Sequence, residues 1–272
     1  MAVSIPNVLY HYTDINALIS IIQNKKIWLS SARNLNDKKK IDWSLDILVS
    51  YCKKLLLDER ITQDNKMLLE GLISHQQPKP YICSMSERPD VLSQWRAYGD
   101  DGVGVSIGFN SKVLPDIGFY GESNRGFSPL DLHKVIYDYR IQLETMSSFV
   151  HFLMDSVGED NVFLKDAIHF VASAFKNDAF CEEREYRIVY NPALVKHGKC
   201  IDQDKISEIK FRKSNSRLVS YYEYDIFSDN HDHIKEIWFG PKCEIDEADL
   251  RLLLEHNGLS NVEIKRSAAT YR

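Results

Sequence analysis

The stretch Phe180-Cys181-Glu182-Glu183-Arg184-Glu185-Tyr186-Arg187-Ile188-Val189-Tyr190 constrains this chain most. Its second half is aromatic and β-branched, and Asn191-Pro192 stops it, which predicts a strand. Side chains alternate along a strand, so Glu183, Glu185 and Arg187 are expected on one face. Two carboxylates that close repel each other, and both stay ionised only beside a cation or solvent. Arg187 is the expected cation. A solvated edge strand carrying ordinary charge pairs would give the same pattern. The rest of the chain has to decide between the two.

The 272 residues are 44% hydrophobic and 27% charged with a net charge of -5, which predicts a globular protein without a general basic field for nucleic acid. Five scattered cysteines with no C-x-x-C argue against a disulfide framework or a zinc site, and fit a reducing cytoplasm. No secretory pattern opens the chain, and no apolar run approaches the ~18 residues of a membrane span. Without a repeat or a Pro/Gly linker, residues 1–272 are read as a single domain, with helical insertions about 41–75 and 140–176.

Val8 to Tyr12 predicts a strand, and Thr13-Asp14 offers a cap to a helix with Ile15, Leu18, Ile19 and Ile22 in phase. Further strands are expected at 27–30, 81–86, 103–109, 134–139, 206–211, 218–224, 234–239 and 262–265. Helices are expected at 41–57, 66–74, 89–98, 141–155, 162–175 and 246–255. Strand 103–109 divides Val103, Val105, Ile107 and Phe109 from Gly104, Ser106 and Gly108, and its small face admits another backbone or a ligand. Irregular alternation without a dinucleotide fingerprint predicts an α+β fold with a largely antiparallel core.

Several groups could carry chemistry. His11 and Thr13 sit where the first strand gives way to a helix, where they could bond a sugar hydroxyl and a carboxamide; a capping threonine and a half-buried imidazole explain them equally. Ser84 and Ser86 share a strand face. Trp95 and Tyr98 share a helix side and could sandwich a planar ring or simply fill the core. Arg33, in a polar loop, could grip a phosphate. The densest histidine cluster, His231-Asp232-His233, is expected in solvent, and no metal site is expected. Serine-hydrolase and P-loop signatures are absent.

Taken together, Leu9-Tyr10-His11-Tyr12-Thr13, Ile27-Trp28-Leu29-Ser30-Ser31, Leu35-Asn36-Asp37, Cys83-Ser84-Met85-Ser86-Glu87, Trp95-Arg96-Ala97-Tyr98, Gly104 to Phe109 and Glu183-Arg184-Glu185-Tyr186-Arg187 resemble a widespread bacterial domain family of unknown function. The resemblance runs from about Leu9 to the end. Relatives carry a proline and an acidic residue after Asn-Asp, where this chain has Lys38-Lys39-Lys40.

That family in turn resembles, more distantly, the ADP-ribosyltransferases. The likeness implies a split, largely antiparallel sheet with flanking helices and an NAD-dependent transferase, a toxin or phage-defence effector. NAD would be substrate, the acceptor a protein or nucleic acid, and an antitoxin or neighbouring gene product a possible partner. It implies His11, Tyr12, Thr13, Ser84 and Ser86 around the nicotinamide riboside, Trp95 or Tyr98 on the ring, and Arg33 on phosphate. Glu185 would hold the ribose hydroxyl, and Glu183 would serve the acceptor or pair with Arg187. Two other readings stay open: a nucleotide-binding module without chemistry, and a metal-dependent nuclease using Glu183, Glu185, Asp37 and His11.

Overall fold

The computed structural model describes residues 5–32, 38–74, 80–118, 128–155, 168, 171–195, 203–214, 216–228 and 232–271. Ten strands make one sheet: β1 (Val8–Thr13), β2 (Lys26–Ser31), β3 (Tyr81–Ser86), β4 (Val105–Asn110), β5 (Leu130–Lys134), β6 (Glu185–Tyr190), β7 (Lys210–Ser214), β8 (Arg217–Asp225), β9 (Ile234–Phe239) and β10 (Glu263–Arg266). The order is β10-β9-β4-β1-β3-β2-β8-β7, with β6 on β3 and β5 on β6. Among the described strands only the β9–β10 pair is parallel. The helices are α1 (Ile15–Asn24), α2 (Lys38–Leu55), α3 (Gln63–Ser74), α4 (Leu92–Tyr98), α5 (Tyr139–Asp155) and α6 (Glu247–His256), besides a single turn at Pro192–Val195. The α+β class and the mostly antiparallel sheet are as expected. No helix among the described residues is long and apolar enough to cross a membrane.

β3 organises the sheet. β6 pairs along its whole length, Tyr81↔Tyr190 through Ser86↔Glu185, and so occupies one edge. A strand has two edges, so β1 and β2 must share the other. β1 takes its end, at Tyr10↔Ser86, and β2 takes its start, at Ser30↔Ile82 and Ser31↔Tyr81. Between those contacts, over Cys83 to Met85, neither strand is in register with β3. The sheet is split there, and α1 links the two strands that diverge.

Alternation sends each strand's apolar residues to one of two cores. Leu9, Ile27, Leu29, Cys83, Met85, Tyr186 and Ile188 pack with Leu18, Ile21 and Ile22 of α1 and with Leu250 and Leu254 of α6. On the other side Ile82 and Val189 pack with Ile47, Leu48, Leu68, Leu72, Met146 and Val150 of α2, α3 and α5. Each such aliphatic side chain contributes about 1.5–3 kcal/mol on burial. The helices expected as insertions thus cover one face of β3 and β6.

Some elements differ from expectation. The chain is a strand over Leu130–Lys134, and by Tyr139 it is already a helix rather than a strand over 134–139. Asp138 ends the extended run, because its carboxylate accepts from the Arg140 and Ile141 N–H groups and starts α5. β7 lies at 210–214 instead of 206–211. The expected helix 162–175 falls mostly outside the described residues. The acidic stretch is a strand only from Glu185 onward. Before it, Asp178–Glu183 forms a 3-10 turn capped by Asn177, and Arg184 turns the chain with φ 42°. Glu183 therefore does not share a strand face with Glu185. Every residue of β6 is buried, so the solvated edge strand is overturned.

Candidate functional site

A cavity of about 400 Å³ opens at the split, a size that suits a small ligand. His11, Thr13 and Asp14 from the end of β1, Ala17 and Ile21 from α1, and Trp28 and Ser30 from β2 line one side. Cys83 and Ser84 of β3 and Glu185 and Arg187 of β6 line it further, with Tyr98 from α4 and Arg212 and Ser214 from β7. Because the strands part here, side chains from both faces of the sheet reach one space. A histidine near residue 10 and a glutamate near residue 185 thereby line one cavity.

His11 fills part of the gap. Its Nδ1 lies 2.9 Å from the Ser84 carbonyl oxygen, which β1 and β2 leave unclaimed, and 3.7 Å from Cys83 Sγ. A carbonyl only accepts, so Nδ1 carries a proton. Burial pushes the imidazole down, but the Cys83 thiol, the Ser84 carbonyl and the Asp14 carboxylate favour the cation and raise it to about 9. Thr13 lines the cavity and does not cap α1; Asp14 does, accepting from the Ala17 N–H at 2.7 Å.

Glu185 is held from three sides. Arg187 donates to both of its carboxylate oxygens, Nε and Nη2 each at 2.9 Å, and Lys176 Nζ donates at 2.9 Å. The Glu185 N–H donates to the Tyr137 hydroxyl at 2.9 Å. Burial would raise this carboxyl, yet the charges of Arg187 and Lys176 outweigh it and hold it well below the usual carboxylate range. It is therefore a fixed anion and a poor proton acceptor. Lys176, buried to 1% exposure, also donates to Glu183, so one ammonium joins the two acids. Nothing in the sequence around Lys176 singled it out, apart from its place at the end of the apolar run Val171–Phe175.

The other expected residues divide. Tyr98, Tyr12 and Ser84 line the cavity. Tyr12 is also built into the scaffold: its hydroxyl donates to the Arg88 carbonyl at 2.8 Å and accepts from the Val91 N–H at 3.0 Å. Trp95 is not at the cavity. It is fully buried, packs edge-on against Tyr12 at 4.8 Å, and donates from Nε1 to Asp90 at 2.7 Å. Ser86 is buried, donating to the Glu183 carbonyl oxygen at 2.8 Å and accepting from the Arg88 N–H at 3.1 Å. Glu183 is absent from the lining and faces Lys176 rather than Arg187. Arg33 and Asp37 lie outside the described residues. Trp28 and Arg212 line the cavity without having been singled out for it; the alternation of Trp28 and Ser30 against the buried Ile27 and Leu29 was the available signal.

Among the described residues no three His, Cys, Asp or Glu side chains are grouped to hold a metal ion. No curated protein and no solved structure matches the chain. Residues 94–188, the segment from α4 through β6 with Glu185 and Arg187, match the model of a family described as a protein of unknown function (DUF2971), which bears out the resemblance to a domain family of unknown function.

Proposed function

We propose that the cavity binds NAD and that the protein transfers its ADP-ribose to an acceptor. The carrying observation is that His11 of β1 and Glu185 of β6 line one cavity at the split in the sheet. In such a transfer the bond between ribose C1′ and the nicotinamide nitrogen breaks, and nicotinamide leaves with the bonding electrons. The acceptor's oxygen or nitrogen bonds to C1′ and releases its proton. The transition state is a positively charged, oxocarbenium-like sugar, as in glycoside hydrolysis. A fixed carboxylate beside the ribose stabilises that charge more than it stabilises the ground state. Glu185, ionised throughout the physiological range, suits that electrostatic role and the holding of a ribose hydroxyl. It does not suit a general base, whose pKa should lie near the working pH. His11 and Thr13 would hold the ribose and carboxamide, with Tyr98 against the ring. Glu183 would support Lys176 rather than the acceptor. The acceptor, and any antitoxin that restrains the activity, rest on the resemblance alone.

Incubation of the full chain with NAD should release nicotinamide, and Glu185→Asp should slow release by about 10²–10³-fold while keeping the charge that Arg187 and Lys176 need. Release unaffected by Glu185→Asp and by His11→Ala would overturn the reading. A second reading, a module that holds a nucleotide without turnover, draws on the two cations that already match the Glu185 charge. A rise in melting temperature with NAD and no nicotinamide released would select it. The nuclease reading loses support, because Lys176 sits between the two acids that would have to share a metal.

A further inference from the structure

The two arginines of the cavity differ in what they still have to give. Arg187 is largely committed: both oxygens of Glu185 and the Ser173 carbonyl accept from it, with the Phe175 carbonyl at 3.5 Å. Arg212 has one such partner among the described residues, the Ser30 hydroxyl, which accepts from Nη2 at 3.2 Å. Its Nε is buried and has no acceptor among the described residues. No carboxylate pairs with it among the described residues; Glu223 of β8 is taken by Lys210 at 2.7 Å and Lys26 at 3.6 Å. A buried N–H left without an acceptor costs about 1–3 kcal/mol, and more on a charged group, so a site built this way is completed by whatever brings the acceptor.

Its surroundings fix the class of that acceptor. The guanidinium sits over the Trp28 ring, 5.1 Å from the centroid, and Trp28 in turn packs on Tyr221 at 4.9 Å. An arginine stacked in this way offers its rim to acceptors in its own plane, a fork that matches phosphate oxygens. Ser30 and Ser214 place further hydroxyls on the lining. We propose that Arg212, with Ser30 and Trp28, forms a phosphate subsite on the β2–β8–β7 flank of the cavity, opposite the Glu185 end, and that it takes the diphosphate of a nucleotide. The assignment rests on the NAD reading only for which nucleotide sits there; the open Nε of Arg212 and its place on the lining stand without that reading.

The test is calorimetric titration of the full chain with ADP and with pyrophosphate at low salt, using nicotinamide riboside as a phosphate-free control. ADP is expected to bind one-to-one, to weaken as salt rises, and to lose at least about 10-fold in affinity with Arg212→Met, with Arg212→Lys between the two. The melting temperature of unliganded Arg212→Met should not fall, since the change removes an unmatched N–H; if it does fall, Arg212→Lys alone is read against wild type. Failure of wild type to bind ADP or pyrophosphate, equal affinity in the variants, or an equal loss of riboside binding in Arg212→Met overturns the subsite. Arg212-dependent ADP binding without nicotinamide release keeps the subsite and removes the transferase. Nicotinamide release with an ADP affinity indifferent to Arg212 does the reverse.

Discussion

At the residue scale the decisive group is Glu185, whose single charge answers two buried cations. Removing it by Glu185→Gln leaves Lys176 and Arg187 with Glu183 as the one carboxylate paired to them among the described residues. Breaking a buried pair from one side costs about 3–5 kcal/mol, so Glu185→Gln should melt early in a thermal scan, and a loss of activity in it would say little about mechanism. Glu185→Asp separates the two effects. His133 supplies a second prediction. Buried and close to the Arg187 charge, its imidazole is pushed down to about 3. The folded state therefore stays neutral there while the unfolded chain takes a proton below about 6.5. Stability should fall as pH drops from about 6.5 towards 3, by an amount on the order of a few kcal/mol. Glu185, held low, adds to the loss as pH falls below the ordinary carboxylate range. The buried Asp131 carboxyl, raised to about 7, acts in the opposite sense as pH falls, so the His133 contribution is read as a difference: the denaturant midpoint of His133→Gln should fall less between about pH 6.5 and 5 than that of wild type. Parallel profiles for the two proteins would remove this account.

At the scale of elements, Gly104 decides how closely the β4 turn can approach β1. A methyl group there would run into the Thr13 carbonyl oxygen, which is backbone and cannot swing away. Gly104→Ala should cost about 1–3 kcal/mol and shift Thr13 at the cavity wall, seen as a lower melting temperature together with weaker NAD binding. Trp95→Ala should cost about 3–5 kcal/mol through the void it leaves, with no specific effect on ligand affinity in the folded fraction, because the ring is core. These elements also show what could be read in advance. The strand at 81–86, the helix after Asp14 and the small face of Gly104 and Gly108 follow from local pattern, and Gly104 does admit a neighbouring backbone. That His11 and Glu185 share a cavity could be ordered from motifs but not placed, because it depends on β3 giving one edge to two strands. Glu183 leaves the strand face because Arg184 turns the chain at φ 42°, and Trp95 takes the core alternative, packed on Tyr12. Periodicity fixes which residues share a side of an ideal element, but it does not fix a single φ or a contact distant in sequence. Arg212 carries no local signal of its use, and Lys176 only its place at the end of the apolar run Val171–Phe175.

At the scale of the whole molecule, the split ties function to architecture. The cavity is bounded by β1, β2, β3, β6 and β7, so a ligand seated in it touches segments from Thr13 to Ser214 and should stabilise the fold globally. At about 100 times its dissociation constant, NAD or ADP should add roughly 2.7 kcal/mol, read as a shift of a single melting transition. A shift confined to one probe of structure would instead mean that the ligand sits on a separable part. The same architecture bears on how the chain is made. Val8 to Ser31 leaves the ribosome before its partner Tyr81–Ser86 exists, and the opposite margin of that partner stays open until Glu185–Tyr190 arrives. The walls of the hollow are thus assembled out of synthetic order, and the nascent protein passes a long interval with an unmatched ribbon at its centre, during which chaperone capture has its best opportunity and the ligand has nothing yet to hold.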